Sequence, residues 1–143
     1  MIRPALLLLA LATAAPAQEL APARSATHDR GGSVVLRAAE IRDLEARGEE
    51  KRISGECMSA CTMYLGLSTA CFEPGTVLGF HGPRLAYGLP MPPALFDSIS
   101  ETMASYYPPR IARRFMDTWR YSDHLVRIRA DRLVERGEAR ACD

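Results

Sequence analysis

The chain has 143 residues, of which 48% are hydrophobic and 24% are charged, and its formal net charge is +1. This length predicts one domain with a single hydrophobic core. The nearly balanced charge excludes the strongly basic surface with which proteins bind nucleic acid, so we expect no nucleic-acid partner.

Residues 1–17, MIRPALLLLALATAAPA, combine an early positive charge, an apolar run and a small-x-small ending. This pattern is typical of a secretory signal peptide. The apolar run is about half of the roughly 20 residues that span a bilayer, and no later stretch is apolar enough to do so. We therefore predict a mature protein that is secreted or periplasmic, in a bacterial envelope, without a stable membrane span.

The four cysteines, Cys57, Cys61, Cys71 and Cys142, predict two disulfides in an exported chain. Three pairings are possible. A bond between Cys57 and Cys61 would close a very small loop, so pairing one of them with Cys71 or Cys142 is less strained, although the sequence does not choose. The spacing lacks the second pair of ligands that a zinc site needs. We expect no metal and no cofactor.

The predicted elements begin after residues 18–28, QELAPARSATH, which are rich in alanine and proline and predict a flexible leader. The domain is therefore expected to cover residues 29–143. It opens with a turn at Gly31-Gly32. Apolar residues at helical spacing then predict an amphipathic helix over residues 35–48 that ends at Gly48.

The middle of the chain alternates between strand and helix patterns. Residues 52–54 predict a short strand, and residues 59–70, SACTMYLGLSTA, predict a buried helix because they are small and apolar on nearly every side. A turn at Pro74-Gly75 follows. Residues 76–81, TVLGFH, predict a buried strand. This alternation indicates an α/β layer structure with parallel strands.

The last third of the chain is mainly helical in pattern. Residues 82–93 are rich in proline and predict a surface loop. Helices are predicted over residues 94–106 and 109–120, followed by a short terminal helix that ends at Gly137. The predicted fold class is therefore α/β, with a small, mostly parallel sheet and a helical C-terminal part.

Three sequence features could form a serine-based site. A serine needs a base to take its proton and N–H groups to receive the oxyanion. Ser59 begins the predicted buried helix, so its side chain and the N–H of Ala60 would lie at a helix N-terminus. His81 ends a buried strand, where open α/β sheets bind ligands. Gly31-Gly32 could bring another N–H to a substrate carbonyl. The alternatives are a capping serine, a structural histidine and a simple turn.

A resemblance to a known family connects these features. The stretches GGSVV (residues 31–35), GECMSACT (residues 55–62) and VLGFHGP (residues 77–83) resemble, in order and approximate spacing, the Clp-type serine peptidases of the crotonase-like superfamily. They are similar in particular to exported bacterial relatives of the Clp protease proteolytic subunit, which carry a Cys-x-Ser-Ala-Cys stretch. The resemblance covers about residues 29–137.

The resemblance implies a crotonase-like layered fold and a role for each candidate residue. Ser59 would be the nucleophile and His81 the base, while Gly31 or Gly32 would form the oxyanion hole with Ala60. The cysteines beside Ser59 would stiffen its turn. No cofactor is implied.

The acid of the triad is expected in the C-terminal part, shortly before a segment that resembles ADRLVERG. Counting back from Gly137 gives Asp123 as the acid and Asp117 as the alternative, while Asp131 lies in the terminal helix itself. Both Asp123 and Asp117 also suit solvated or capping positions.

The chain departs from the family pattern at its N-terminal side. The family has at least two strands before the Gly-Gly turn and a proline where this chain has Arg30, so the domain is N-terminally shortened. Two functions are compatible with this sequence. One is a periplasmic serine hydrolase, most simply a peptidase with a peptide or protein substrate. The other is a catalytically inactive envelope protein that binds a peptide or partner. The superfamily also makes a homo-oligomer possible.

Overall fold

The computed structural model describes residues 26–143. The predicted signal peptide, residues 1–17, and residues 18–25 of the predicted leader lie outside the described residues. Between residues 26 and 143, no helix has the length and apolar character required to cross a membrane.

A small open sheet runs through the described part of the chain. Its strands are β1 (Ala26–Asp29), β2 (Lys51–Met58), β3 (Ala70–Phe72), β4 (Val77–Phe80) and β5 (Val126–Arg129). The order is β1-β2-β4-β5, and β3 pairs with the first residues of β2 while β4 pairs with its last residues. Pairing is parallel except that β5 runs antiparallel to β4. The predicted α/β class and the mostly parallel sheet are confirmed.

Helices connect the strands. The α-helices are α1 (Val34–Arg47), α2 (Pro93–Ala104), α3 (Pro109–Asp117) and α4 (Ala130–Glu135); 3-10 helices span Ser59–Gly66, Ala86–Gly88 and Trp119–Tyr121. The Ser33 hydroxyl accepts from the Leu36 N–H at the start of α1, and Gly48 ends that helix in the left-handed conformation. The predicted helix over residues 35–48 is therefore confirmed, with its turn and its stop.

The N-terminal prediction was wrong at residues 26–28, because Ala26–Asp29 form β1 instead of leader. β1 pairs in parallel with β2, which places Ala26 beside Ile53 and Asp29 beside Cys57. Its short polar sequence has no alternation, so the pairing is supplied by β2 and not by local preference. The sheet therefore has a strand directly before the glycine turn.

Several other elements differ from the sequence predictions. The strand predicted over residues 52–54 is the longer β2, Lys51–Met58, and the helix predicted over residues 109–120 ends at Asp117. The predicted buried helix over residues 59–70 is a 3-10 helix that ends at Gly66, and its buried part is residues 60–64. A Cβ added to Gly66 would lie 2.6 Å from the Tyr106 carbonyl oxygen. β3 is only three residues long and β5 only four, too short for a periodic pattern to be decisive. Neither strand was predicted.

The core lies between the sheet and the helices and contains an aromatic cluster at the end of β4. The Phe80 ring centroid lies 5.4 Å from that of Tyr107 and 5.2 Å from that of Trp119. Tyr107 also contacts Phe115, and its hydroxyl lies 2.7 Å from the Thr62 hydroxyl. These contacts fix the carboxyl end of β4 against α3 and the 3-10 helix that follows β2.

Two disulfides join Cys57 to Cys61 and Cys71 to Cys142. The prediction of two disulfides is confirmed, but the preference against the small loop was wrong. The turn after β2 brings the Cα atoms of Cys57 and Cys61 to 5.2 Å, within the usual range for a disulfide. The other bond attaches β3 to the C-terminal segment, beside a parallel bridge between Phe72 and Ala141.

The two disulfides should contribute differently to stability. We expect the pair Cys71→Ala and Cys142→Ala to lower the free energy of unfolding by about 4 kcal/mol, because the bond closes a long loop, and the pair Cys57→Ala and Cys61→Ala by about 2 kcal/mol. Urea denaturation of the two double variants measures both losses. Reduced wild-type protein is the control. A larger loss for the small loop would contradict this expectation.

Candidate functional site

A cavity of about 230 Å³ opens where β2 and β4 end. These strands are parallel neighbours, so their carboxyl ends meet at one edge of the sheet. Ser59 follows β2 directly and His81 follows β4 directly. The structure therefore brings both predicted residues into one cavity. Its lining consists of Gly32, Ser33, Val34, Val35, Ser59, His81, Pro83, Arg84, Leu85, Met91, Ile99 and Met103.

Ser59 has an unusual backbone conformation. Its φ is 56°, in the left-handed region that costs a residue with a side chain about 1–2 kcal/mol. The residue lies at a sharp turn from strand to helix, the geometry that exposes the nucleophile in α/β-hydrolases. The Cys57–Cys61 disulfide spans this turn, and the Thr62 hydroxyl donates to the Ser59 carbonyl at 2.7 Å. Both constraints hold the turn in place.

Ala60 follows Ser59 and is fully buried at the start of the 3-10 helix. The first N–H groups of a helix have no acceptor within the helix itself. Ala60 is not among the residues that line the cavity, so the role predicted for its N–H in an oxyanion hole stays a prediction.

The glycine turn packs directly on the Ser59 turn. A Cβ atom added to Gly31 would lie 2.6 Å from the Ser59 Cβ, 2.8 Å from the Met58 carbonyl oxygen and 2.9 Å from the Ala60 nitrogen. The φ of Gly31 is also positive, at 99°. Only glycine fits at this position, because both the space and the backbone conformation exclude a side chain.

Asp29 and Arg37 hold the glycine turn, and the sequence analysis gave neither of them a role. The Gly31 N–H donates to Asp29 Oδ1 at 2.8 Å. Arg37 Nη2 donates to Asp29 Oδ2 at 2.6 Å and to the Gly31 carbonyl at 3.3 Å. The Arg37 side chain is 10% exposed, so this charged pair is largely removed from water. An aspartate two residues before a glycine is a turn signal that could have indicated Asp29.

The two glycines predicted for the oxyanion hole have different surroundings. The Gly31 N–H is already bonded to Asp29. Gly32 lines the cavity, and no atom lies within 4 Å of the position that its Cβ would take. Of the two, Gly32 is therefore the one that lines the cavity, and its part in an oxyanion hole stays a prediction.

The Asp29–Arg37 pair extends into a larger polar network. Arg37 Nη1 donates to Glu40 at 3.1 Å and to the Tyr64 hydroxyl, and that hydroxyl donates to Glu40 Oε1 at 2.5 Å. Lys51 Nζ also donates to Glu40, at 3.1 Å. The network connects α1, β2 and the 3-10 helix that begins at Ser59.

The network also sets protonation states. Burial, followed by the hydrogen bond to Glu40, raises the pKa of the Tyr64 hydroxyl. Burial of the Glu40 carboxyl acts against its charge, but hydrogen bonds from Tyr64 and Lys51 and the charge of Arg37 lower its pKa below the usual value. Tyr64 therefore stays a donor and Glu40 a carboxylate at neutral pH.

His81 is oriented by its own chain. Its Nδ1 lies 2.5 Å from the Gly82 carbonyl oxygen. A carbonyl only accepts, so we assign the ring proton to Nδ1, which leaves a lone pair on Nε2. Within residues 26–143 the Ser59 hydroxyl and the His81 ring share the cavity without a hydrogen bond between them.

Neither predicted acid is among the residues that line the cavity, although Asp123 follows Ser122, whose carbonyl accepts from the cavity residue Arg84 at 3.0 Å. Asp123 is exposed in the loop between the 3-10 helix Trp119–Tyr121 and β5. Asp117 is exposed at the end of α3 and lines a different depression with three arginines of that helix. Neither aspartate lines the cavity that holds His81. The count back from Gly137 treated the region as helical, whereas β5 separates Asp123 from α4.

Comparison with protein-family models gives no match, and comparison with curated protein sequences gives none either. The class of the protein is therefore defined by its own structure. It is a disulfide-bonded α/β protein with a serine and a histidine in one cavity at the carboxyl edge of a small sheet.

The two glycines of the turn form a matched pair for testing the close approach to Ser59. Both have positive φ, so Gly31→Ala and Gly32→Ala should each cost about 1–2 kcal/mol of stability from backbone strain. Gly31→Ala should cost about 1–3 kcal/mol more, because its Cβ would overlap backbone atoms. Urea unfolding of both variants measures this difference. Equal losses would show that the Gly31 contact is not a constraint.

Proposed function

We propose that the protein is a periplasmic serine hydrolase, a peptidase that acts through an acyl-enzyme at Ser59 with His81 as general base. The observation that carries this proposal is the left-handed backbone of Ser59 at a strand-to-helix turn, in one cavity with His81. A residue with a side chain keeps such a conformation only where the surroundings impose it, and such positions cluster at active sites.

The chemistry follows the usual order for acyl transfer. His81 Nε2 takes the proton of the Ser59 hydroxyl while Ser59 Oγ attacks the substrate carbonyl carbon, and the carbonyl oxygen becomes an oxyanion. The N–H groups of Gly32 and Ala60 receive that oxyanion. His81 then gives the proton to the leaving amine. In the second half, His81 takes a proton from the water that attacks the acyl-enzyme and returns it to Ser59 Oγ.

The missing Ser59–His81 hydrogen bond is compatible with this scheme, because catalytic hydrogen bonds are often long in unliganded enzymes and shorten when substrate binds. The Gly82 carbonyl supplies the orientation that an aspartate usually provides, since it fixes the proton on Nδ1. A neutral carbonyl stabilises the imidazolium less than a carboxylate does. We therefore expect slow turnover.

The cavity lining supports a substrate with an apolar side chain next to the scissile bond. Val34, Ile99 and Met103 contribute apolar surface beside Ser59. Val35 and Leu85 extend this apolar lining, and Val35 is 69% exposed. Exposed apolar groups near a polar reaction centre suit a polypeptide substrate.

Two further proposals concern the fold family and the location of the protein. The strand β1 directly before the glycine turn supports an N-terminally shortened crotonase-like fold of the Clp type. The two disulfides and the predicted signal peptide support a periplasmic location. A homo-oligomer is part of this proposal through the resemblance alone.

The second candidate function is a catalytically inactive envelope protein that binds a peptide or partner in the same cavity. It is favoured by the absence of a Ser59–His81 hydrogen bond within residues 26–143 and by the absence of Asp123 and Asp117 from the residues that line the cavity. Such a protein would keep the apolar lining and the constrained turn but would not react.

Covalent labelling distinguishes the two functions. The mature wild-type protein should react with a fluorophosphonate probe, and Ser59→Ala should take no label. His81→Ala should react about a hundredfold more slowly or less, because general-base catalysis contributes that much. Ser33→Ala is the matched control, since Ser33 lines the same cavity. It should label at the wild-type site, located by mass spectrometry of the peptide. An unlabelled wild-type protein that is folded would favour the inactive binder.

If the Gly82 carbonyl orients His81, neither predicted aspartate is needed for the reaction. Asp123→Asn and Asp117→Asn should each label within about twofold of the wild-type rate, because neither carboxylate orients His81, whereas an acting triad acid would cost far more. The labelling rate at fixed probe concentration measures this. A loss of tenfold or more in either variant would identify that aspartate as the acid and refute the carbonyl assignment.

A further inference from the structure

A second cavity, of about 320 Å³, lies between α3 and β5. It shares no lining residue with the cavity at Ser59. We name it the α3–β5 groove; its lining is Arg110, Ile111, Arg114, Trp119, Val126, Ile128 and Arg136. We propose that the groove binds an amphipathic carboxylate, a small molecule with an anionic head and an apolar tail.

The floor of the groove is apolar because of the alternation along β5. Val126 and Ile128 are half-buried and line the groove, while Arg127 and Arg129 are exposed. Trp119 is also half-buried there. This surface can cover an alkyl or aryl group and remove it from water.

The arginines of β5 have carboxylate partners on the molecule itself. Arg127 bonds to Glu56 at 2.9 Å and Arg129 to Asp131 at 2.6 Å. Their charges are therefore balanced locally. They do not compete for a ligand in the groove.

The rim of the groove is different. The Arg110 guanidinium makes two hydrogen bonds to Glu138, at 2.6 and 2.8 Å. The side chains of Arg114 and Arg136 line the same groove, and neither forms an ion pair with a carboxylate in the part of the chain that the structure describes. Glu138 balances part of this charge, because its pKa is lowered by the hydrogen bond from Arg110 and further by the charges of Arg110 and Arg136. Arg114 and Arg136 therefore line the groove without a carboxylate bonded directly to either of them.

The head and tail of the ligand follow from this arrangement. A guanidinium binds a carboxylate through two parallel N–H donors, a match that an ammonium does not reproduce. A head group held by Arg114 and Arg136 would leave its tail over Trp119, Val126 and Ile128. A volume near the lower end of the range for ligand cavities indicates a small molecule.

Trp119 makes the test direct because it is the one tryptophan of the sequence and it lines the groove. Decanoate is titrated into the mature protein below its micelle concentration, and the emission of Trp119 is recorded. A saturable change is expected, which 1-decanol and acetate do not produce at the same concentrations. Equal binding of decanol would overturn the proposal, because the guanidinium groups would then contribute nothing.

Matched variants locate the head group. Arg114→Gln and Arg136→Gln should each weaken decanoate binding about tenfold, the effect of losing a charged hydrogen bond. Arg113→Gln, on the same helix but outside the groove, is the control and should bind as the wild type does. Equal loss in all three would indicate only general charge attraction and refute the site. Circular dichroism confirms that each variant is folded.

The proposal does not depend on hydrolase activity. Ser59→Ala should bind decanoate as tightly as the wild type, since Ser59 lies in the other cavity. An unreactive wild-type protein that still shows the Arg114 and Arg136 effects would refute the proposed hydrolase alone. A labelled wild type without saturable decanoate binding would refute the groove alone.

Discussion

The close approach of the Gly31 backbone to the Ser59 turn is the constraint on which the rest of the site depends. It requires β1 to end beside the end of β2, and it requires α1 to start at once after the glycine turn. Ser33 then caps α1, which directs Val34 and Val35 to the cavity. One contact between two backbones thus couples the sheet, the first helix and the proposed nucleophile.

The charged network below the glycine turn is costly to bury unless every member is paired. Here Asp29, Arg37 and Glu40 are each hydrogen-bonded, and Tyr64 joins them from the 3-10 helix. The most buried part of the network is the Asp29–Arg37 pair, whose side chains are 17% and 10% exposed, so a shift of α1 that broke this pair would leave two charges poorly hydrated. We infer that it specifies the position of the turn.

Short stretches of sequence were enough to predict the elements whose formation depends on residues close together in the chain. Helical spacing and a glycine stop located α1, and β-branched and aromatic residues located β4. A helix start indicated Ser59 and a strand end indicated His81, while the family resemblance connected the two; their catalytic roles stay predictions. Other features were not predicted, because each depends on a residue that the fold brings close from elsewhere in the chain. They are β1, β5, the Cys57–Cys61 bond and the pairing of Asp29 with Arg37. No spacing within a short window encodes such a contact.

The Cys57–Cys61 disulfide makes the shape of the cavity depend on whether the compartment around the protein is oxidising. Both sulfurs are buried, so the bond is shielded once the domain has folded. Since a buried thiol pair is out of reach of an oxidant in solution, we expect the bond to form before the domain closes, as a step in maturation. A newly made chain with four thiols would hold Ser59 through the glycine contact and the Thr62 hydrogen bond alone. The oxidant that closes this small loop therefore completes the cavity, and the cell compartment that provides it determines where the site first exists.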